Sequence, residues 1–505
     1  MLNIKVNYNG KTKELQTEHG SNLLNLLRSE SIYIPAFCGG NGTCGKCLVH
    51  IEDGKIGGMG KGSEVLACQA VLDSDCKLTI KGSEKDFSIM SAFAGSSAAE
   101  NVSDDLAIAV DIGTTTCVVC AFDLKSGGVI GVFAELNGQR KFGADVISRI
   151  DKCAENLNEM TAMIRGQILK GIESLISEHG INTGKIKKMA VVGNTAMMSI
   201  FMGVDCTSLG FKPFTVPQEV KSGGELKFNE LFGSDVLGCD VSALPCISAY
   251  IGADALSSAL FCGIRSMEGY NIVADVGTNG EILLSSPVES GKVGNLTCAS
   301  TAAGPALEGG NISCGMGGAS GAVCAVKFDN NSFVYKTIGN KPPIGICGSG
   351  AIDLIAELVG NEIIDDTGLL DDDYFDDGVK VCENVTFTQG DVRQIQLAKS
   401  ALRSGVDCLI KNVGIKYSDI NKLFLGGGFA NNANVENMVK IGLFPKEISE
   451  KIVPSGNTAL GGAVKWLMSE DARLEAADIA ENAHELELGD NPYFSERFSE
   501  NMFFE

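Results

Sequence analysis

The chain has 505 residues, 44% hydrophobic and 21% charged, a length and balance that call for two or three packed cores in an ordinary globular protein. Its formal net charge of −22 repels phosphate backbones and anionic lipid, which argues against nucleic-acid or membrane-surface binding and leaves proteins and small molecules as partners. Eighteen cysteines scattered through so long a chain are expected to be reduced thiols.

The opening MLNIKVNYNG reads as strand and turn rather than as a secretion leader. The most apolar stretch, 191–204, is broken by Gly193, Asn194, Thr195, Ser199 and Gly203, well short of the roughly 18 apolar residues of a membrane span. A soluble, cytoplasmic protein is expected.

Residues 2–8 and 12–16 read as strands around Asn9-Gly10, a hairpin signal, and Ser21 is placed to cap a short helix reaching about Arg28. A strand near 48–52, a turn at Asp53-Gly54 and a last strand near 76–81 complete a first domain, 1–82. Residues 83–104 are small and polar and read as a linker. Beyond Leu106, AIAVDIGTTTCVVCAF (107–122) and NIVADVGTNGEILLS (271–285) form a degenerate repeat of strand, D-x-G-T turn and strand, so two similar lobes are expected, 105–265 and 266–470. Helical patterns at 144–176 and 392–411 alternate with strands at 188–192 and 422–425, which makes the class α/β. Residues 471–505 read as a helix followed by an aromatic-containing C-terminal extension.

Cys38, Cys44 and Cys47 stand five and two residues apart, close enough for three thiolates to meet one cluster. Gly39, Gly40, Gly42 and Gly45 let the backbone wrap around it and turn N–H groups toward the sulfurs. For the fourth ligand, Cys68 in VLACQ is preferred to Cys76, which opens an alternating strand and reads as a packed side chain. Zinc is the competing reading, but structural zinc sites pair two C-x2-C knuckles, or one with histidines, and a single knuckle is present. The first 82 residues resemble plant-type and adrenodoxin-type ferredoxin domains, which implies a β-grasp fold and a [2Fe-2S] cluster carrying one electron.

Asp111-Ile-Gly113-Thr114-Thr115-Thr116 and Asp275-Val-Gly277-Thr278-Asn279-Gly280-Glu281 each put a carboxylate at a strand end, then a glycine turn offering N–H groups and hydroxyls to phosphate. Facing each other, two such loops would clamp a polyphosphate, with Asp111 and Asp275 holding Mg2+ through water. Downstream, LFLGGGFA places Gly426, Gly427 and Gly428 after a strand, where missing side chains permit close approach of a nucleoside. Asp145 and Asp254, both in G-A-D contexts, are candidates for a direct role in hydrolysis. His19, His50, His179 and His484 are isolated and propose no metal site.

Residues 105–465 resemble the superfamily of acetate and sugar kinases, heat-shock ATPases and actin, two ribonuclease-H-like halves closing on ATP. The resemblance puts Gly193-Asn194 in VVGNTAMM and Gly461-Gly462 in SGNTALGGA at the hinge segments. With NGQRKFGADVISRI (137–150), GPALEGGNISCGMGGASGAV (304–323), ICGSGAIDLI (346–355) and DVRQIQLAKSAL (391–402), the chain resembles nearly end to end the reductive activators of corrinoid proteins. That resemblance implies ATP-driven reduction of Co(II) to Co(I) on a corrinoid protein of a methyltransferase system, a low-potential electron donor and a homodimer. Longer members carry an additional domain where this chain has the 83–104 linker, and the type with a C-terminal [4Fe-4S] cluster is excluded because no cysteine follows Cys408. The alternatives are an ATP-dependent activator of a radical dehydratase and a redox-sensing ATP-binding scaffold.

Overall fold

Hydrophobic side chains alternate along Leu2–Tyr8, which pairs antiparallel with Lys11–Thr17 from Leu2 opposite Thr17 to Tyr8 opposite Lys11. In the computed structural model, which describes residues 1–8, 11–30, 32, 34, 47–80, 102–143, 145–288, 293–330, 332–428, 430 and 434–504, this hairpin opens the first sheet. Leu2–Tyr8 also pairs parallel with Cys76–Ile80, which pairs antiparallel with Leu48–Ile56. The helix Leu23–Ser29 lays Leu23, Leu24, Leu26 and Leu27 on the face made by Ile4, Val6, Val49 and Leu78. This is a β-grasp arrangement.

Two local expectations change. Asn22, not Ser21, caps the helix: its Oδ1 accepts from the Asn25 amide at 3.1 Å, while Ser21 Oγ accepts from Thr17. Asp53-Gly54 is not a turn but part of Leu48–Ile56, where a bulge between Ile51 and Asp53 keeps Gly54 opposite Cys76.

The chain divides into two compact units, residues 1–88 with 140–148, and residues 89–139 with 149–505. In the larger unit two sheets repeat one plan. Leu106–Ile112 pairs antiparallel with Thr116–Asp123 and parallel with Ile186–Gly193, and Val129–Leu136 adds outside the hairpin. Tyr270–Val276 likewise pairs antiparallel with Gly280–Ser285 and parallel with Ile420–Gly426, with Leu296–Thr301 outside. The second sheet packs Ile272, Ala274, Ile282 and Leu284 into one core with the helices Gly348–Gly360 and Gln389–Val413. Thr388 and Asp391 close a capping box that starts the latter helix.

The lobes exchange helices. Ala253–Cys262, which follows the first sheet in sequence, buries Ala255, Leu256, Ala259 and Leu260 with Val273 and Leu283 of the second. Thr458–Met468, which follows the second, lies against Leu106–Ile112 and Ile186–Gly193 of the first. The two helices touch each other through Gly461 and Gly462: a methyl on Gly462 would strike the Ser257 carbonyl, and one on Gly461 the Phe261 ring.

Residues after 470 are bound into the second lobe rather than extending from it. His484–Glu485 adds a parallel strand to Leu296–Thr301, and Pro492–Glu500 packs on Gln389–Val413. Buried Lys399 donates to the carbonyls of Asn501 (2.7 Å) and Phe503 (2.6 Å), and buried Asp407 accepts from Asn501 Nδ2 and Arg497 Nε at 2.9 and 2.8 Å. Among the described residues no helix is long and apolar enough to cross a membrane.

The helix contact is a test of the packing. Gly462→Ala is expected to lower the stability of this unit by about 1–3 kcal/mol through overpacking, read as a lower midpoint in urea denaturation followed by circular dichroism. An unchanged midpoint would mean the helices do not meet this closely.

Candidate functional site

Strand pairing brings the two D-x-G-T loops to the same end of their sheets, and the exchanged helices hold those ends together. Thr115 Oγ1 and Thr278 Oγ1 meet at 3.4 Å, and both approach Glu308 Oε2, at 3.5 and 3.0 Å. The first loop is braced from behind: Asn137 Nδ2 donates to the Gly113 carbonyl at 2.8 Å, and Arg149 Nη2 to the Thr114 carbonyl at 2.6 Å. The second is a tight turn in which the Gly277 amide donates to the Asn279 carbonyl at 2.9 Å.

Two asparagines reach the first loop. Asn194 and Asn457 each end a strand and cap the following helix through the side-chain oxygen, accepting from Met197 and Leu460. Each then has its side-chain nitrogen free for the cleft: Asn194 Nδ2 donates to Thr114 Oγ1 at 3.0 Å and Asn457 Nδ2 to Asp111 Oδ2 at 2.8 Å. Asp275 Oδ2 accepts from Ser258 Oγ at 2.9 Å and, more distantly, from Thr458 Oγ1 at 3.5 Å. The repeat G-N-T-A at 193–196 and 456–459 was the sequence signal for these asparagines; Glu281 closes the second D-x-G-T segment and Glu308 lies within GPALEGGNISCGMGGASGAV, neither with a role of its own, and Ser258 carried no signal.

Asp111, Asp254, Asp275, Glu281 and Glu308 line one cleft floor. Each keeps some accessible surface, yet protein encloses it enough for burial to govern its ionisation. Burial pushes Asp111 up to about 7, against the Asn457 hydrogen bond and with the charge of Asp275. It pushes Asp254 up to about 8, with Asp275 and Asp111 adding to the rise. Asp275, Glu281 and Glu308 are raised by the same cause. So many carboxylates together strongly resist full ionisation. Among the described residues no group of three or more His, Cys, Asp or Glu side chains is placed to hold one ion.

Gly426 ends its strand opposite Asp275. At Gly427 the backbone is left-handed (φ 97°) and a side chain would strike the Val276 carbonyl, whereas the space around Gly428 is open. Asp145 is spent locally, accepting from the Ser148 amide and hydroxyl, each at 2.8 Å.

In the first unit, Cys38 and Cys44 lie outside the described residues. Cys47 and Cys68 are brought together: the Cys68 amide donates to Cys47 Sγ at 3.4 Å, the N–H to sulfur bond that suits an anionic cluster. Cys76 packs in the core opposite Gly54, about 20 Å along the strand from Cys47, and burial with the charges of Asp75 and Asp73 pushes its thiol up to about 11.

Two tests follow from this geometry. Cys68→Ala is expected to strip or destabilise the cluster and Cys76→Ala to leave its visible absorbance in place; the reverse would reassign the fourth ligand. For the cleft, a carboxyl whose pKa is higher folded than unfolded keeps its proton in the folded state, so stability is full below the unfolded value and is lost as pH rises through the folded one. Without metal or nucleotide, the melting temperature should fall as pH rises from about 4 to about 8, and Asp254→Asn should flatten that fall and melt above wild type at its alkaline end. A wild-type melting temperature that climbs across this window would contradict the neutral carboxyls.

Comparison with known proteins gives the site its context. Residues 6–73 match the 2Fe-2S iron-sulfur cluster binding domain, residues 106–267 the RACo middle region, and residues 269–505 the C-terminal domain of RACo, the ASKHA domain. The chain is 32% identical over 424 residues to the corrinoid activation enzyme RamQ of Eubacterium limosum, covering 79% of this chain and 70% of that protein. It is 26% identical over 409 residues to the Co(II) methylated amine-specific corrinoid protein reductase of Methanosarcina barkeri, covering 75% and 72%. The solved structure of a reductive activator for a corrinoid, iron-sulfur protein matches 100% of this chain and 98% of its own, at 26% identity and a TM-score of 0.70. With three regions matched in order and relatives aligned over most of their length, the chain belongs to the RACo family of corrinoid-protein activators.

Proposed function

We propose that this chain uses ATP to drive a single electron onto the cobalt of a corrinoid protein, converting Co(II) to Co(I). The observation that carries the reading is the meeting of the two D-x-G-T loops, Thr115 to Thr278 at 3.4 Å, in a chain that also contains an iron-sulfur domain. A kinase-like cleft without a ferredoxin would call for phosphoryl transfer to a small molecule, and a ferredoxin without the cleft for simple electron carriage.

Residue by residue, the hydroxyls of Thr114, Thr115 and Thr278 and the turns at Gly113, Gly277 and Asn279 hold the phosphates, and Asp111 and Asp275 hold a hydrated Mg2+. Gly426, Gly427 and Gly428 admit the nucleoside. A [2Fe-2S] cluster on Cys38, Cys44, Cys47 and Cys68 supplies a one-electron carrier at about −400 mV in the plant type. Each 59 mV by which the cobalt couple lies below that carrier amounts to about 1.4 kcal/mol for one electron. Nucleotide offsets the deficit through differential affinity for open and closed arrangements of the lobes, which the docked corrinoid protein reads. The same reading makes the partner a corrinoid protein of a methyltransferase system, the electron source a low-potential donor, the chain a cytoplasmic homodimer.

Anaerobic absorbance spectroscopy of a Co(II) corrinoid protein mixed with this protein, a low-potential reductant and Mg-ATP tests it. Co(I) should form only when all are present, and the corrinoid protein should raise ATP hydrolysis. Asp275→Ala should slow ATP-dependent reduction by about 10- to 100-fold with cluster absorbance intact. Equal rates with and without ATP would leave only an electron carrier.

A further inference from the structure

The proposed activity requires a group that takes the proton of the water attacking ATP, and neither the phosphate loops nor the metal-holding carboxylates supply it. Asp111 is bound to Asn457, and Asp275 to Ser258 with Thr458 nearby, both on the hinge side. Asp254 accepts from the amide of Ala255 in its own helix at 2.8 Å, and Asp145 caps a helix. Glu281 shares a hydrogen bond with Asn279, within its own loop.

Glu308 stands differently. It belongs to the short helical turn Pro305–Glu308, which follows the outer strand Leu296–Thr301 of the second lobe, outside both D-x-G-T motifs. Its Oε2 lies 3.0 Å from Thr278 Oγ1 and 3.5 Å from Thr115 Oγ1, so one carboxylate reaches a hydroxyl of each opposing loop. Its other oxygen, Oε1, lies beside the turn at Gly277, 3.9 Å from where a Cβ there would stand. These are the hydroxyls assigned above to the phosphates, so Glu308 stands beside the place where the end of a bound polyphosphate would meet both loops.

We infer that Glu308 is the general base of ATP hydrolysis, an assignment that rests on the function proposed above. The water oxygen forms its bond to the terminal phosphorus as the bond from phosphorus to the bridging oxygen breaks. The water proton passes to the Glu308 carboxylate, ADP leaves with the bonding pair, and Glu308 later returns the proton to solvent or phosphate. Burial holds the Glu308 carboxyl above its ordinary range, against the two threonine hydrogen bonds and with the charge of Asp275, a direction that makes its carboxylate the stronger base.

The test uses the full chain and Mg-ATP alone. Glu308→Gln keeps the size and the oxygen that accepts from Thr278, but cannot take a proton. It should lower kcat for hydrolysis by about 100-fold or more with the ATP dissociation constant within a few-fold of wild type, and retained nucleotide binding reports that it folds. Glu308→Ala should lose turnover equally and regain part of it with added formate. A Gln variant that hydrolyses ATP near the wild-type rate, or loses ATP binding in parallel with turnover, overturns the assignment. Wild-type protein that does not turn over ATP overturns the proposed function with it, so the two failures are told apart.

Discussion

The cleft depends on one close approach. Helix Thr458–Met468 comes against helix Ala253–Cys262 because Gly461 and Gly462 present no side chain to Phe261 and Ser257, and each helix is packed on the other lobe's sheet. Once those helices are in contact, the strand ends that precede them are in register. Asn457 then reaches Asp111, and Ser258 reaches Asp275, so each lobe's loop aspartate is held by the helix exchanged from the other end of the unit. A cleft built this way has no independent halves. A displacement of either helix is carried to both aspartates, which gives nucleotide a mechanical route to the arrangement of the lobes.

Electrostatics sets the second constraint. Asp111, Asp254, Asp275, Glu281 and Glu308 each resist ionisation chiefly because of burial; neighbouring carboxylates add to the rise at Asp111, Asp254, Glu281 and Glu308, while hydrogen bonds oppose it at Asp111, Asp275 and Glu308. The protein's large negative charge adds to this resistance. Keeping these carboxyls ionised together is costly in the unit by itself. In the first unit the Cys68 backbone N–H is turned toward Cys47 Sγ, while burial and the charges of Asp75 and Asp73 keep Cys76 in its core a neutral packed thiol.

Local patterns were legible in the sequence wherever a motif carries its own geometry. Asn9-Gly10 marked the hairpin joining Leu2–Tyr8 to Lys11–Thr17, and the duplicated strand and D-x-G-T pattern announced the two equivalent sheets around Leu106–Ile112 and Tyr270–Val276. Local reading failed where a neighbouring strand decides. Asp53-Gly54 looks like a turn in isolation, but continued pairing with Cys76–Ile80 absorbs it as a bulge. Residues after 470 look like an extension because their anchors, the buried polar face of Gln396, Lys399, Ser400, Ser404 and Asp407, lie far back in the chain.

What the sequence determined by itself is the chemistry available: thiolates at cluster spacing, two aspartate-glycine turns able to face a polyphosphate, and a triple glycine open to a nucleoside. Those are properties of short segments, whose backbone conformation and donor groups follow from a few adjacent residues. Only the tertiary structure decided which groups meet. Glu308 lies in a segment, GPALEGG, that names no role for it, and acquires its place beside Thr115 and Thr278 because its turn follows Leu296–Thr301 of the second sheet; Asn194 and Asn457 reach the first loop from the ends of Ile186–Gly193 and Ile452–Gly456, each parallel to its neighbouring strand. Such meetings join residues up to 346 positions apart, and they are set by sheet order and helix packing, which no window of neighbouring residues contains.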